Sequence, residues 1–295
     1  MKKKTMDDQP ILIFGKNGQV GSALVCEFSN RPNVLAYGRD EADFLNLASI
    51  ESAIDFVQPK LIINAAAYTA VDKAESEPHF ADQVNGHTVG QIARIAAKRK
   101  ISLIHYSTDY VFDGTKGSPY TEEDHPNPIN AYGRSKLLGE QLIQEAGGSY
   151  LILRTSWVYD FIHDNFVTKV LRWAQEKDTL RIVDDQIGSP TWAGMLAEKT
   201  IQLIKMENEN KNHFERFKRK SGNYHLCSDG YVSRLGWAKK IIEANPFLST
   251  KLIPAKSGDF PTDAQRPFIS ALNCEKIIYS FNIQLPTWDT QLPYS

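Results

Sequence analysis

Short apolar runs alternate with stretches of helical periodicity through the first half of the chain. Five runs of aliphatic and β-branched residues have the length and composition of buried strands, and they cover residues 11–14, 34–37, 61–64, 101–107 and 150–154. Between them, apolar side chains recur every three or four positions over residues 47–57, 80–99 and 132–146, which predicts helices. Strands and helices that alternate in this way indicate an α/β fold with a doubly wound parallel sheet.

The alternation becomes looser after the fifth run. The pattern there predicts a helix over 165–176, a strand over 180–183 and a helix over 192–206, followed by a tail rich in proline. We therefore predict two domains, with residues 1–160 in the larger one and residues 161–295 mainly in a smaller α/β domain. The helix near 192–206 has an alternative position, packed back on the first domain.

Three evenly spaced glycines, Gly15, Gly18 and Gly21, follow the first predicted strand and open a stretch of helical spacing. Such glycines let the backbone turn tightly, let a pyrophosphate approach main-chain amides, and let the helix pack close to the strand. A glycine turn without a ligand is the alternative, but the strand before it and the helix after it favour dinucleotide binding. The first domain is therefore predicted to be Rossmann-like, and the second to bind the substrate.

The end of the second strand bears on the choice of cofactor. An acidic residue at this point would bind the adenosine ribose of NAD, but Gly38 occupies the expected position and Arg39 follows it. A guanidinium here accommodates a 2′-phosphate, so NADPH is predicted, with NADH as the alternative. Arg39 as an ordinary surface residue is an equally simple interpretation.

Small residues follow the third strand, in the segment Asn64-Ala-Ala-Ala67. Their size would let a cofactor lie against the backbone, and Ala65, Ala66, Ala67, Tyr68 and Thr69 are predicted to line the cleft at the carboxyl ends of the strands. Simple packing is the alternative role for these alanines.

Tyr132 and Lys136 are one helical turn apart and so share a helix face. A free phenol ionises near pH 10, and a neighbouring ammonium is expected to lower the pKa of the tyrosine so that it can protonate a carbonyl oxygen during reduction. Thr108, just after the fourth strand, is placed to bind the same oxygen. The alternative is an amphipathic helix that carries a tyrosine and a lysine by chance.

Composition argues for a small-molecule partner. The 295 residues are 42% hydrophobic and 23% charged, and the net charge of −1 gives no field that would attract nucleic acid or an anionic membrane. No apolar run reaches membrane-spanning length, and the polar stretch 205–220 is interpreted as a solvated excursion. Three cysteines without a CxxC motif indicate reduced thiols and a cytoplasmic protein.

Taken together, these segments resemble the dTDP-4-dehydrorhamnose reductase family of the extended short-chain dehydrogenases/reductases. The resemblance runs nearly end to end. It rests on residues 14–21, 64–75, 107–114, 132–136, 154–159 and 185–191.

The resemblance implies roles for individual residues. Thr108, Tyr132 and Lys136 would be catalytic, and Lys136 would also hold the nicotinamide ribose. Further cofactor contacts would come from the glycine turn with Gln19 and Val20, and from Asp43, Phe44, Ala67 to Thr69 and Tyr106. Asp109, Trp157 and Arg266 would contact the substrate, with Arg266 near the nucleotide diphosphate.

The implied activity is reduction of the C4 ketone of dTDP-4-dehydro-β-L-rhamnose, the last step of dTDP-rhamnose synthesis for a cell-surface polysaccharide. Some members of the family bind Mg²⁺ at a subunit interface through glutamates, but the corresponding positions here are Ala23 and Gly194. No metal is therefore predicted, and a homodimer is left open. The alternatives are a reductase of another 4-keto nucleotide sugar and a non-catalytic regulatory subunit of the same fold.

Overall fold

The computed structural model describes residues 9–205 and 213–292. Its strands, in chain order, are β1 (Ile11–Phe14), β2 (Val34–Tyr37), β3 (Leu61–Asn64), β4 (Ser102–Thr108), β5 (Ser149–Thr155), β6 (Val158–Tyr159), β7 (Thr179–Val183), β8 (Ile187–Gly188), β9 (Thr191–Trp192), β10 (Gly222–His225), β11 (Val232–Ser233) and β12 (Lys251–Ala255). The five strands predicted in the first half are all present, to within two residues at each end.

The α-helices, again in chain order, are α1 (Gln19–Glu27), α2 (Leu47–Val57), α3 (Val71–Ser76), α4 (Pro78–Asp82), α5 (Thr88–Arg99), α6 (Ala131–Ala146), α7 (Phe166–Glu176), α8 (Ala193–Lys205), α9 (His213–Arg219), α10 (Arg234–Glu243) and α11 (Glu275–Phe281). A π-helical turn covers Gln83–His87, and a short 3-10 helix covers Asp109–Val111.

Six parallel strands form the central sheet in the order β10-β5-β4-β3-β1-β2. Successive side chains of β1 point to opposite faces, so Ile11 and Ile13 join one apolar core while Leu12 and Phe14 join the other. Helices α2 and α5 cover the second core, and α1 and α8 cover the first. The predicted doubly wound parallel sheet is confirmed.

The helix predicted over 80–99 is confirmed, and the structure adds a π-helical turn within it. The segment begins earlier, at Pro78 in the first turn of α4, and the π-helical turn then separates α4 from α5. Asn85 in this turn points inward, where its side-chain oxygen accepts a hydrogen bond from the Tyr68 amide at 2.8 Å and its nitrogen donates to the Tyr68 carbonyl at 3.0 Å. The wider turn therefore brings an amide side chain to the loop after β3.

The second half of the chain contributes to both parts of the molecule. A third core, around Trp237, packs α7 and α10 on the parallel pair formed by β7 and β12. However, α8 packs on α1, β10 pairs with β5, and Ile277 and Phe281 of α11 enter the first core. The boundary after residue 160 stays a prediction, but several later elements complete the first sheet.

The predicted solvated excursion at 205–220 lies partly outside the described residues. For its second part the prediction is wrong, because residues 213–219 form α9 and bury Phe214 and Phe217. The two phenylalanines anchor the helix on the sheet.

The three cysteines are free thiols. No described helix is long and apolar enough to cross a membrane.

Candidate active site

A cleft of about 900 Å³ opens at the carboxyl ends of the parallel strands. This is the edge at which doubly wound sheets bind their ligands. Every cofactor and substrate residue predicted from the sequence lines this cleft, with the exception of Gly21 and Arg266. The structure therefore brings together side chains that lie more than 200 positions apart in the sequence.

The glycine turn has the geometry that a bound diphosphate requires. Gly15 has a φ of +89°, and a Cβ on Gly21 would come within 1.9 Å of the Gly15 carbonyl oxygen, so neither position accepts a side chain without a shift. Helix α1 begins at Gln19, and no side chain caps its first turn. Its amide groups and positive dipole end are therefore available to an anion, although Gly21 itself serves packing.

A carboxylate that the sequence pattern did not reveal lies near the end of β2. Glu41 folds back towards the end of β2, where it accepts hydrogen bonds from the Gly38 amide at 2.9 Å and from Lys16 Nζ at 2.5 Å. These two bonds hold the pKa of Glu41 below its usual range. Arg39 lines the cleft with 74% of its side chain exposed, and Asp43 lies 3.7 Å from it. Arg39 is thus accessible to a phosphate group.

The loop after β3 is fixed by buried amides. Asn64 accepts a hydrogen bond from the Ala66 amide at 3.0 Å, and Asn85 binds both the amide and the carbonyl of Tyr68. Asn85 also donates to the hydroxyl of Ser135 on α6 at 2.9 Å. The alanine-rich wall of the cleft is therefore tied directly to the helix that carries Tyr132 and Lys136.

Thr108 and Tyr132 meet at the centre of the cleft. Thr108 ends β4, and its hydroxyl accepts a hydrogen bond from the Tyr110 amide at 3.2 Å and interacts with the Tyr132 phenol. Burial raises the pKa of Tyr132 above its ordinary value. The expectation that Lys136 lowers the pKa of this tyrosine is therefore wrong for this arrangement, because the lysine nitrogen is engaged elsewhere.

Lys136 is almost completely buried on α6. Its Nζ donates a hydrogen bond to the Tyr106 carbonyl at 2.7 Å and lies 3.2 Å from Nε2 of His105. Burial lowers the pKa of Lys136 to about 8, against an opposing effect of Glu140. The Tyr106 phenol points away to Thr200 on α8, at 2.6 Å, so Tyr106 contributes its carbonyl to this lysine site.

Asp109 is buried behind Thr108 and is surrounded by hydroxyl groups. Ser270 and Ser156 donate to its carboxylate at 2.5 Å and 3.0 Å, and Thr108 donates at 3.2 Å. Burial raises the pKa of Asp109 to about 6 in spite of these three donors. The geometry makes Asp109 a support for Thr108, because its oxygens are already occupied by protein groups.

Arg266, like Gly21, is a predicted site residue that lies apart from the cleft lining. Its guanidinium is paired with Asp72 at 2.7 Å and with the Thr262 hydroxyl at 2.8 Å. Trp157, in contrast, lines the cleft together with Arg234, a residue that the sequence interpretation missed. Nothing in the local sequence marks Arg234, because it follows a two-residue strand in the loosely patterned half.

A doubly wound sheet with a glycine turn, and a threonine, tyrosine and lysine that converge on its carboxyl edge, define a nucleotide-dependent oxidoreductase of the extended short-chain dehydrogenase/reductase type. Among residues 9–205 and 213–292, no three His, Cys, Asp or Glu side chains are grouped to hold a metal ion.

Comparisons with known proteins identify the family. The family model described as "RmlD substrate binding domain" matches residues 9–295. The dTDP-4-dehydrorhamnose reductase of Burkholderia thailandensis is 40% identical, over 94% of this chain and 95% of its own, and that of Escherichia coli K12 is 38% identical over 94% of each.

A solved structure agrees with these matches. The dTDP-4-dehydrorhamnose reductase from Bacillus anthracis, in complex with NADP, superposes with a TM-score of 0.87 at 31% identity, over 96% of both chains. The chain belongs to the dTDP-4-dehydrorhamnose reductase family.

Proposed function

We propose that this protein reduces the C4 ketone of dTDP-4-dehydro-β-L-rhamnose to give dTDP-β-L-rhamnose, with NADPH as the reductant. The observation that carries the proposal is that Thr108, Tyr132 and Lys136 line one cleft, where the Thr108 hydroxyl interacts with the Tyr132 phenol. The full-length similarity to dTDP-4-dehydrorhamnose reductases supports the choice of substrate.

The cofactor site is assembled from the glycine turn, the end of β2 and the loop after β3. The first amides of α1 would hold the diphosphate, and Arg39 would contact the 2′-phosphate of NADPH. The alanine-rich wall and Lys136 would enclose the nicotinamide ribose. When bound, the cofactor supplies the hydride to C4 of the sugar.

The reaction requires a proton at the ketone oxygen. The Tyr132 phenol remains protonated at neutral pH because burial raises its pKa, and it interacts with the Thr108 hydroxyl. Both groups would bind the ketone oxygen, and Tyr132 would transfer its proton as charge develops there. The ammonium of Lys136, held by the Tyr106 carbonyl at 2.7 Å, would contact the nicotinamide ribose.

The decisive experiment is NADPH oxidation by the purified protein with dTDP-4-dehydro-L-rhamnose. We expect turnover in the wild type and a loss of about 100-fold or more in Tyr132→Phe, because the general acid is removed. Tyr279→Phe is the matched control, since Tyr279 is an exposed tyrosine on α11. Near-full turnover in Tyr132→Phe would contradict the assigned acid.

The same assay separates the alternatives. Turnover restricted to a different 4-keto nucleotide sugar would change the substrate and retain the catalytic set. Cofactor binding without turnover on any such sugar would instead favour a regulatory subunit. A cytoplasmic location, an absence of nucleic-acid and membrane partners, and a homodimer remain proposals from the sequence, and the last can be measured by analytical ultracentrifugation.

A further inference from the structure

Arg234 occupies an unusual position in the cleft wall. It is the first residue of α10, it is half-buried, and its guanidinium lies 3.6 Å from the ring centroid of Trp157. The rings of Phe166 and Trp237 are also close, at 4.9 Å and 5.5 Å from the guanidinium carbon. Aromatic rings therefore fix this cation, and stacking leaves the N–H groups at its edge to form hydrogen bonds, one of them with the Tyr110 hydroxyl.

No described carboxylate forms an ion pair with Arg234. This distinguishes it from Arg266, whose charge is compensated by Asp72 at 2.7 Å. The Tyr110 phenol interacts with both guanidinium groups, so the two arginines flank a single hydroxyl. The charge of Asp109 acts on Arg234 without forming an ion pair with it. A partly desolvated cation of this kind, in a cleft that receives a ligand, favours an anionic group on that ligand.

Trp157, whose ring stacks on Arg234, has a strained backbone conformation. Trp157 has a φ of +44°, a region that side-chain-bearing residues rarely adopt. The indole lies over Gly188, where a Cβ would come within 2.5 Å of the Trp157 ring. A strained backbone and a glycine opposite it thus hold the indole under the guanidinium, which is the kind of strain found at functional sites.

We propose that Arg234 binds the diphosphate of the nucleotide sugar and that Trp157 is the positioning residue that orients it. The inference rests on the proposed function and deepens it, because the substrate of that reaction carries a diphosphate. A guanidinium fork matches two phosphate oxygens at once. Arg266 is already paired with Asp72, so its role is to hold the Tyr110 side chain in place.

The test compares dTDP with thymidine, which lacks the phosphates, by titration of the full-length protein in the presence of NADP⁺. In Arg234→Met we expect the affinity for dTDP to fall about 10- to 100-fold while that for thymidine changes less than twofold, since only the phosphate contact is lost. Arg234→Lys keeps the charge without the fork and should fall in between. Arg94→Met, on the exposed face of α5, is the matched control.

Variants of Trp157 test the positioning role. Trp157→Phe retains an aromatic face and should recover most of the dTDP affinity that Trp157→Ala loses, with NADP⁺ affinity and the thermal midpoint monitored in both. Equal losses for dTDP and thymidine in Trp157→Ala, or no recovery in the phenylalanine variant, would contradict the assigned role.

The outcomes separate this inference from the proposed function. Wild-type protein that binds dTDP, together with an Arg234→Met variant whose dTDP affinity stays within twofold of it, would overturn the inference alone. Wild-type protein that does not bind dTDP would overturn the choice of nucleotide, and the inference with it.

Discussion

At the scale of single residues, the cleft contains several buried ionisable side chains. Their pKa values are shifted in opposite directions. Burial raises the pKa of Tyr132 and of Asp109, whereas it lowers the pKa of Lys136 to about 8. In each case the neutral form is favoured, because the charged form loses hydration that the protein replaces only in part. At neutral pH, the Tyr132 phenol is therefore protonated and Lys136 is still largely charged.

The lowered pKa of Lys136 predicts an alkaline limit to activity. Because the ammonium is lost as the pH rises through about 8, kcat/KM should fall above that pH and approach a tenfold decrease per unit. A pH–rate profile from 6 to 9.5 measures this, with substrate and cofactor stability checked separately. A profile that stays flat to pH 9.5 would show that the charge on Lys136 is not needed.

The exposed guanidinium of Arg39 leads to a second prediction, which concerns the choice between NADPH and NADH. Arg39→Ala should raise KM for NADPH about 5- to 10-fold and leave KM for NADH unchanged, because only NADPH carries the phosphate that an exposed guanidinium contacts. Arg94→Ala serves as the control. Parallel changes with both cofactors would contradict a contact with the 2′-phosphate.

Elements are joined around Glu140, which is fully buried on α6. Arg154 of β5 donates to both carboxylate oxygens, at 2.9 Å and 2.6 Å, while Ser107 of β4 and Asn223 of β10 add bonds at 2.5 Å and 3.2 Å. One carboxylate thus ties a helix to three adjacent strands. The same helix carries Tyr132 and Lys136, so this network also helps to orient the two proposed catalytic residues.

Removal of the Glu140 carboxylate should be costly for stability. Glu140→Ala leaves the Arg154 guanidinium buried without its partner, and we expect a loss of about 3–5 kcal/mol in the free energy of unfolding. Denaturant unfolding measures it, with Glu145→Ala, an exposed site on the same helix, as the control. A loss below about 1 kcal/mol would mean that the network relaxes or admits water.

The sequence predicted elements well where a periodic apolar pattern was long enough. The strands of the first half and α2 were readable because Leu, Ile and Val repeat there with a clear period. The π-helical turn was not, since Gln83–His87 continues a helical pattern and its extra residue per turn leaves no compositional mark. Asn85 was missed for that reason, as its role depends on which way the turn points it.

At the scale of the whole molecule, the parts that escaped prediction are those that return to the first sheet. Strand β10 reads Gly-Asn-Tyr-His, with no apolar run, and its identity as a strand depends on pairing with β5. Arg234 reaches the cleft through the same long-range folding. The local pattern singled out Thr108, Tyr132 and Lys136, which the structure places in one cleft, but the partners that complete this cleft depend on tertiary contacts.

The buried side chain of His225 should make the free energy of unfolding of the whole molecule decrease at acid pH. Burial lowers the pKa of His225 to about 3, so the unfolded chain binds a proton below pH 6.5 that the folded chain does not. Stability from this residue is complete above pH 6.5 and is lost as the pH falls towards 3, by up to about 1.4 kcal/mol per pH unit.

Urea unfolding at pH 7, 6 and 5 tests this dependence. His225→Gln should reduce the slope of unfolding free energy against pH by about 1.4 kcal/mol per unit between pH 6 and 5. Asp109, whose raised pKa acts in the opposite direction, is common to both proteins and cancels in the difference. An unchanged slope would show that His225 is protonated within the folded protein.

The route of the chain constrains how such an enzyme can be modified. Because α8, β10 and α11 return to the first sheet after the chain has entered the other half, a single cut near residue 160 would remove an outer strand and two covering helices. A chimera that borrows the second half of a relative would therefore need several junctions. We expect grafting to succeed only when α7, α10 and the β7–β12 pair are exchanged as separate inserts. The recipient protein must keep its own α8, β10 and α11, which complete the first sheet.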